Sequence, residues 1–250
     1  MTPHPSAAAA ALAVALAAPA WADPAAAEPQ MVEIKGVRNP ELFRYRAMLA
    51  GLDAFESYHE LAPTAPEVRF RLRSQPGAGA ELNDLTLRIA GDNTSINVPI
   101  DVNLTFILPR DEAAAADNAD LLLNKPKSGY RWQPDIRSPN VSTNMRRLGD
   151  LRLECEVLVG VAKEELGFVF KAMINSLLLT TRWCTHEKIR LSTSVSPRKL
   201  STATLLHDGR RVELKLSDKG RAYYPPLADK SYPDDSLIEL EFADDKEGPP

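Results

Sequence analysis

The segment LRLECEVLVGVAKEELGFVFKAMINSLLLTTRWCTHEK, Leu151 to Lys188, decides how the chain folds and holds both of its cysteines, Cys155 and Cys184. Leu151, Leu153, Cys155 and Val157 alternate with more polar neighbours, which predicts a half-buried strand. The period then lengthens. Leu166, Val169, Phe170, Met173, Ile174, Leu177 and Leu178 fall on one helical face, with Lys163, Glu164, Lys171 and Asn175 opposite, so an amphipathic helix is expected over about 161–179. Gly167 inside it costs up to about 1 kcal/mol relative to alanine and points to close packing. In an exported chain two cysteines are expected to pair, and closing the Cys155–Cys184 loop stabilises by roughly 3 kcal/mol. Their spacing matches no zinc pattern.

Beyond Cys184 the chain reads as a β-meander. Thr202–Leu206 and Arg211–Leu216 flank His207-Asp208-Gly209-Arg210, where Asp-Gly is a strong hairpin signal. A second turn falls at Ser217–Gly220, and Ile238, Leu240 and Phe242 form a last strand. Residues 243–250 are a polar tail.

Before Leu151 the same mixture appears. Asn39-Pro40-Glu41 looks like a helix start, with Leu42, Tyr45, Leu49, Leu52, Phe55 and Tyr58 on one face, so a helix is expected over about 40–61. From Glu67 the period drops to two: Val68, Phe70 and Leu72 alternate with Arg69, Arg71 and Arg73, a half-buried strand with a basic outer face. Further alternation at Leu85–Ile89 and Ile96–Val102 predicts a hairpin, in which Pro99 argues for a sheet edge or a bulge. Asp111–Asn124 reads as either a short Ala-rich helix or a loop. The fold class expected is therefore α+β: a β-rich domain of antiparallel sandwich or meander sheets carrying two main amphipathic helices.

At the N-terminus, Ser6–Pro19 is an apolar run ending in Ala20-Trp21-Ala22, the form of a signal peptide cleaved after Ala22. Residues 23–30 read as a flexible leader. Residues 31–242 are expected to form one domain, with a two-lobe split near 124–150 as the alternative. No later run is long and apolar enough for a transmembrane helix. The expected destination is periplasmic or extracellular.

The 250 residues carry a net charge of -4, which argues against nucleic acid as a partner. Catalytic and phosphate-binding motifs are absent, and no cofactor or metal is expected. The most unusual stretch in charge is Lys125–Arg147. It is expected to be a loop in which Lys125, Lys127, Arg131, Arg137, Arg146 and Arg147 face one acid, Asp135, with Tyr130 and Trp132 between them. A guanidinium beside an aromatic ring suits a carboxylate or phosphate on a stackable body. The competing expectation is that these arginines pair with acids elsewhere in the fold and Trp132 caps the core. The function expected is a non-enzymatic envelope protein that binds an anionic envelope polymer, a lipid headgroup or a protein partner through this loop. Two alternatives are a hydrolase using His186, Glu187 or His207, and a structural subunit of an envelope assembly.

Overall fold

The computed structural model describes residues 40–74, 84–166, 172, 176, 183, 184, 194–196 and 198–243. All of these lie in one compact unit, Ile34–Pro250. The signal peptide, its cleavage site, the leader, His186, Glu187 and the last seven residues lie outside the described residues, as does most of the stretch expected to be helical over 161–179.

The architecture is α+β, with antiparallel sheets and two main helices, as the alternation and helical periods imply. The first sheet has the order β1 (Pro40–Arg44), β6 (Asp120–Pro126), β3 (Leu87–Ala90) and β4 (Ser95–Val98). Its core side is set by Leu87, Ile89, Leu121 and Leu123, each at most 2% exposed. Strand β4 lies at the edge and stops at Val98, just before Pro99, which has no N–H to give to a ladder. A second sheet runs β5 (Thr105–Phe106), β2 (Arg69–Ser74), β7 (Tyr130–Asp135). A third runs β11 (Arg210–Glu213), β10 (Leu200–His207), β13 (Leu237–Phe242), β8 (Met145–Arg147). The β10–β11 turn has Asp208 at φ 46° and Gly209 at φ 72°, the positive pair that an Asp-Gly hairpin requires. A small ladder pairs β9 (Ser194–Val195) with β12 (Ala222–Tyr223).

Helix α1 (Tyr45–Ser57) starts five residues later than the sequence suggests. Pro40–Arg44 is instead the edge strand β1, with Leu42 opposite Leu122 and Arg44 opposite Asp120. Proline is tolerated as the first residue of an edge strand, and the five residues gain a ladder with β6 that a helix start would forgo, although Leu42 is left exposed. The short helix α2 (Glu112–Ala116) is capped by Asp111, whose side chain accepts from the Ala114 N–H. It then yields to β6.

The larger correction concerns the decisive segment itself. Residues 151–157 are not a strand but the middle of α3 (Leu148–Glu165), which ends where Leu166 turns extended, at ψ 132°. The alternation is real, and its cause is burial on two sides. Leu153, Val157 and Val161 face one hydrophobic cluster, built mainly from the first two sheets and α1. Leu148, Leu151, Cys155 and Val159 face a second, built on β10, β12 and β13. Two apolar stripes on one helix place hydrophobic residues two apart and imitate a strand. Cys155 is bonded to Cys184, with Cα atoms 5.8 Å apart, so the expected disulfide is present. Among the described residues no helix is long and apolar enough to cross a membrane.

Candidate functional site

The stretch expected to be a basic loop is largely ordered secondary structure: the β6–β7 hairpin, a connection over 136–144, and β8. That correction redistributes its side chains, because successive residues of a strand point to opposite faces. Tyr130 and Trp132 turn inward. Tyr130 is buried, and Trp132 stands edge-on to Phe43 and Phe70, with ring centroids 6.0 and 5.5 Å away. Arg131 turns outward, so the guanidinium and the rings do not meet around one ligand. Lys125 and Lys127 sit at the hairpin turn, Lys127 exposed. Arg147 donates to the Leu61 carbonyl at 2.7 Å and lies 3.7 Å from Asp150. Arg146 is buried, 2.6 Å from Glu154.

What the fold assembles instead is a cleft on the outer face of the β5–β2–β7 sheet. Strand β2 supplies Arg69, Arg71 and Arg73, whose neighbours Phe70 and Leu72 anchor it in the core. Two chambers open there. The outer, of about 470 Å³, is lined by Arg69, Arg71, Asp101, Asp135 and Arg137 among others. The inner, of about 140 Å³, holds Arg73, Gln133, Arg146, Ser196 and the apolar Leu240 and Phe242. Arg71, Asp135, Arg137 and Thr143 line both, so the two chambers adjoin across these side chains.

Helix α3 holds one wall in place. Asp150 and Glu154, one turn apart on that helix, reach the chain just after β7. Asp150 accepts from the Ser138 N–H and hydroxyl at 2.9 and 2.6 Å, and Glu154 accepts from the Ile136 N–H at 2.8 Å. Burial pushes the Glu154 carboxyl upward, against the pull of Arg146. The opposite rim is the turn Asp101–Leu104. Asp101 accepts from the N–H groups of Asn103 and Thr105, and Arg71 donates to the Asn103 carbonyl at 2.8 Å.

Charge in the cleft cancels almost everywhere. Arg69 pairs with Glu67 at 2.7 Å and Asp101 at 3.4 Å. Asp135 takes both Arg71 and Arg137, the latter at 3.0 Å. Burial disfavours the Asp135 anion, but Arg137, Arg146 and Arg71 outweigh it and hold the carboxyl down at about 2. Arg73 is the exception. Among the described residues no carboxylate lies within ion-pair distance of it, and its Nε–H is buried without an acceptor. Burial, followed by the charge of Arg71, pulls its guanidinium down to about 10. Directly across the ladder from Arg73 stands Arg131. Like charges placed opposite on one face of a ladder disfavour each other.

Comparison with family models, with curated proteins and with solved structures returns no match. The site therefore has to be judged on its own chemistry. Of the stretch singled out in the sequence, Arg137 and Arg146 line the cleft and Arg131 stands opposite Arg73. Lys125, Lys127, Tyr130, Trp132 and Arg147 do not line it. The residues that sequence reasoning left out of the site are Arg69, Arg71 and Arg73, although their alternation had marked a basic strand face. Asp150 and Glu154 were hidden because their i,i+4 relation appears only once α3 is known to be a helix.

The described histidines lie elsewhere. His59 is bonded to the Ala65 carbonyl at 2.9 Å and packs on Phe55. His207, at the end of β10, sits 3.2 Å from Asp208 and edge-on to Tyr232. Among the described residues no group of three or more His, Cys, Asp or Glu side chains is arranged to hold a metal ion.

Proposed function

We propose that the protein is an exported, non-enzymatic binding protein of the cell envelope that recognises an anionic ligand through the arginine-lined cleft. The observation that carries this reading is Arg73: a poorly solvated guanidinium without a carboxylate partner among the described residues, beside Arg71 and facing Arg131. A buried charge without a partner is costly, and an incoming anion would remove that cost. Guanidinium forks suit carboxylates and phosphates, which they bind in two-point contacts.

The state of the cleft carboxylates supports binding over catalysis. An acid held at about 2 and clamped by two arginines has no proton to give near neutral pH, and it is a weak base. Neither described histidine lines the cleft. Export is supported by the apolar N-terminal run with its small-x-small site and by the disulfide.

The test is co-sedimentation of the chain from Asp23 onward with cell-envelope fractions at low and high salt, repeated with Arg73→Gln and Arg131→Gln. Binding that weakens with salt, and falls about tenfold or more with Arg73→Gln, is the expected result, since a charge-assisted hydrogen bond is worth ~1.5–3 kcal/mol. Binding that ignores both salt and Arg73 would remove the cleft from consideration.

A further inference from the structure

The cleft constrains its ligand beyond the sign of its charge, and the following rests on the anion-binding reading above. We propose that the ligand enters with a single terminal carboxylate at Arg73, carried on an uncharged, hydrogen-bonding chain that lies along the outer chamber, as a peptide C-terminus would.

Three observations lead there. First, the inner chamber is small, and among the described residues Arg73 is its one cation without an ion-pair partner, because Arg71 and Arg137 are paired with Asp135 and Arg146 is committed to Glu154 and to the Ile136 carbonyl. It therefore suits one anionic group and not a run of them. Second, its walls are mixed. Gln133 and Ser196 offer polar contacts near Arg73, while Leu240 and Phe242 offer an apolar surface. A carboxylate carrying a short apolar substituent at its α-carbon meets both, whereas an inorganic phosphate or sulfate ion has nothing to place on the apolar side. Third, the outer chamber offers no attraction to a second anion. Glu67, Asp101 and Asp135 are present there, and their charges are cancelled by Arg69, Arg71 and Arg137, so the net field is weak. Polar groups remain: the Asn103 and Thr143 side chains and the exposed faces of the paired arginines and acids. These match the alternating N–H and C=O groups of an uncharged peptide backbone.

The dimensions agree. Arg73 and Arg69 are four residues apart on one strand, roughly 13 Å at the usual rise per residue, which is the span of about four residues of extended peptide. Capture of a terminal carboxylate by a fixed set of donors is an established way of reading chain ends.

The experiment uses fluorescence anisotropy with an N-terminally labelled, uncharged pentapeptide ending in alanine, presented as the free acid and as the C-terminal amide. Labelled polyglutamate, with a free or an amidated end, and inorganic phosphate as a competitor complete the set. The free acid should bind, the amide about tenfold or more weakly, and Arg73→Gln should reduce the free acid to the level of the amide. Arg73→Lys, which keeps the charge and loses the fork, should give an intermediate affinity, and thermal unfolding of each variant verifies that it is folded. Equal binding of acid and amide overturns the proposal. If polyglutamate then binds in an Arg73-dependent way regardless of its terminus, the anion-binding reading stands without the terminal-carboxylate assignment. If no probe binds, both fall.

Discussion

Arg73 shows how a single residue can be set against the stability of the fold that carries it. Its guanidinium lies opposite Arg131, partly out of water and beside Arg71, and an anion at this point would relieve both the burial and the repulsion from Arg71. Arg73→Gln should therefore raise the thermal midpoint of the ligand-free protein by about 2–4 °C, the shift that ~1 kcal/mol produces in a domain of this size, while binding is lost. An unchanged or lowered midpoint in thermal unfolding would mean that the unpaired charge costs the fold nothing. Asp135 is the reverse case. Because its folded pKa is depressed, its contribution is fully present above the ordinary carboxylate value near 4 and is lost as pH falls through about 2. The side chain is 7% exposed, so that contribution is on the order of 2 kcal/mol. Urea unfolding of the wild type and Asp135→Asn across acid pH should show a gap between them that narrows over this window. A gap independent of pH would show that the carboxylate acts through packing alone.

At the scale of elements, the contact of α1 with α3 explains both the fold and the limits of reading it from sequence. The two helices approach at Gly160, where a methyl group would fall 2.7 Å from the Ala50 carbonyl oxygen and 2.9 Å from Ala54 Cβ. On the other helix, a methyl at Gly51 would meet Val161 at 2.7 Å. Gly160→Ala gains helix propensity but must push α1 away, so a net loss of ~1–3 kcal/mol in denaturant unfolding is expected. A stabilised variant would mean that the helices can part without cost. Neither glycine is marked by local sequence, because close approach is a property of two helices and not of one. The same reason explains which elements were legible. β2, β3 and β13 each bury alternate residues more deeply than their neighbours, and a period of two reports that directly, while the β10–β11 hairpin is marked by its Asp-Gly turn. Helix α3 has two buried faces and reads as a strand. Strand β1 has weak local preference and is settled by its partner β6. The site follows the same division. Charge concentration over 125–147 identified Arg137 and Arg146, but only the register of β2 against β7 brings Arg73 to Arg131. Only the inward turn of Tyr130 and Trp132 removes the aromatic half of the expected loop.

The whole molecule is organised so that α3 belongs to both hydrophobic clusters. Leu153, Val157 and Val161 complete the one that carries the β5–β2–β7 sheet, and Leu151, Cys155 and Val159 complete the other. The disulfide fastens α3 within the second cluster, while Glu154 and Asp150 tie the same helix to the wall of the cleft. If the helix is shared in this way, neither cluster retains its wall when the other melts. The chain should then unfold in one transition and not in two lobes that part near 124–150. Leu153→Ala and Leu151→Ala distinguish these cases, since both residues are fully buried and each faces a different cluster. Each truncation is expected to cost ~2–5 kcal/mol, the usual range for a buried leucine. In a shared-helix molecule both should shift the same single transition, seen alike by tryptophan fluorescence and by far-ultraviolet circular dichroism. Trp132 reports on the first cluster and Trp183 on the second, so in the chain from Asp23 onward, which leaves out Trp21, phenylalanine at either position leaves a probe of one side. If Leu151→Ala moved the Trp183 signal and left the Trp132 signal in place, the clusters would be independent folding units, and α3 would be a linker between them instead of their common wall.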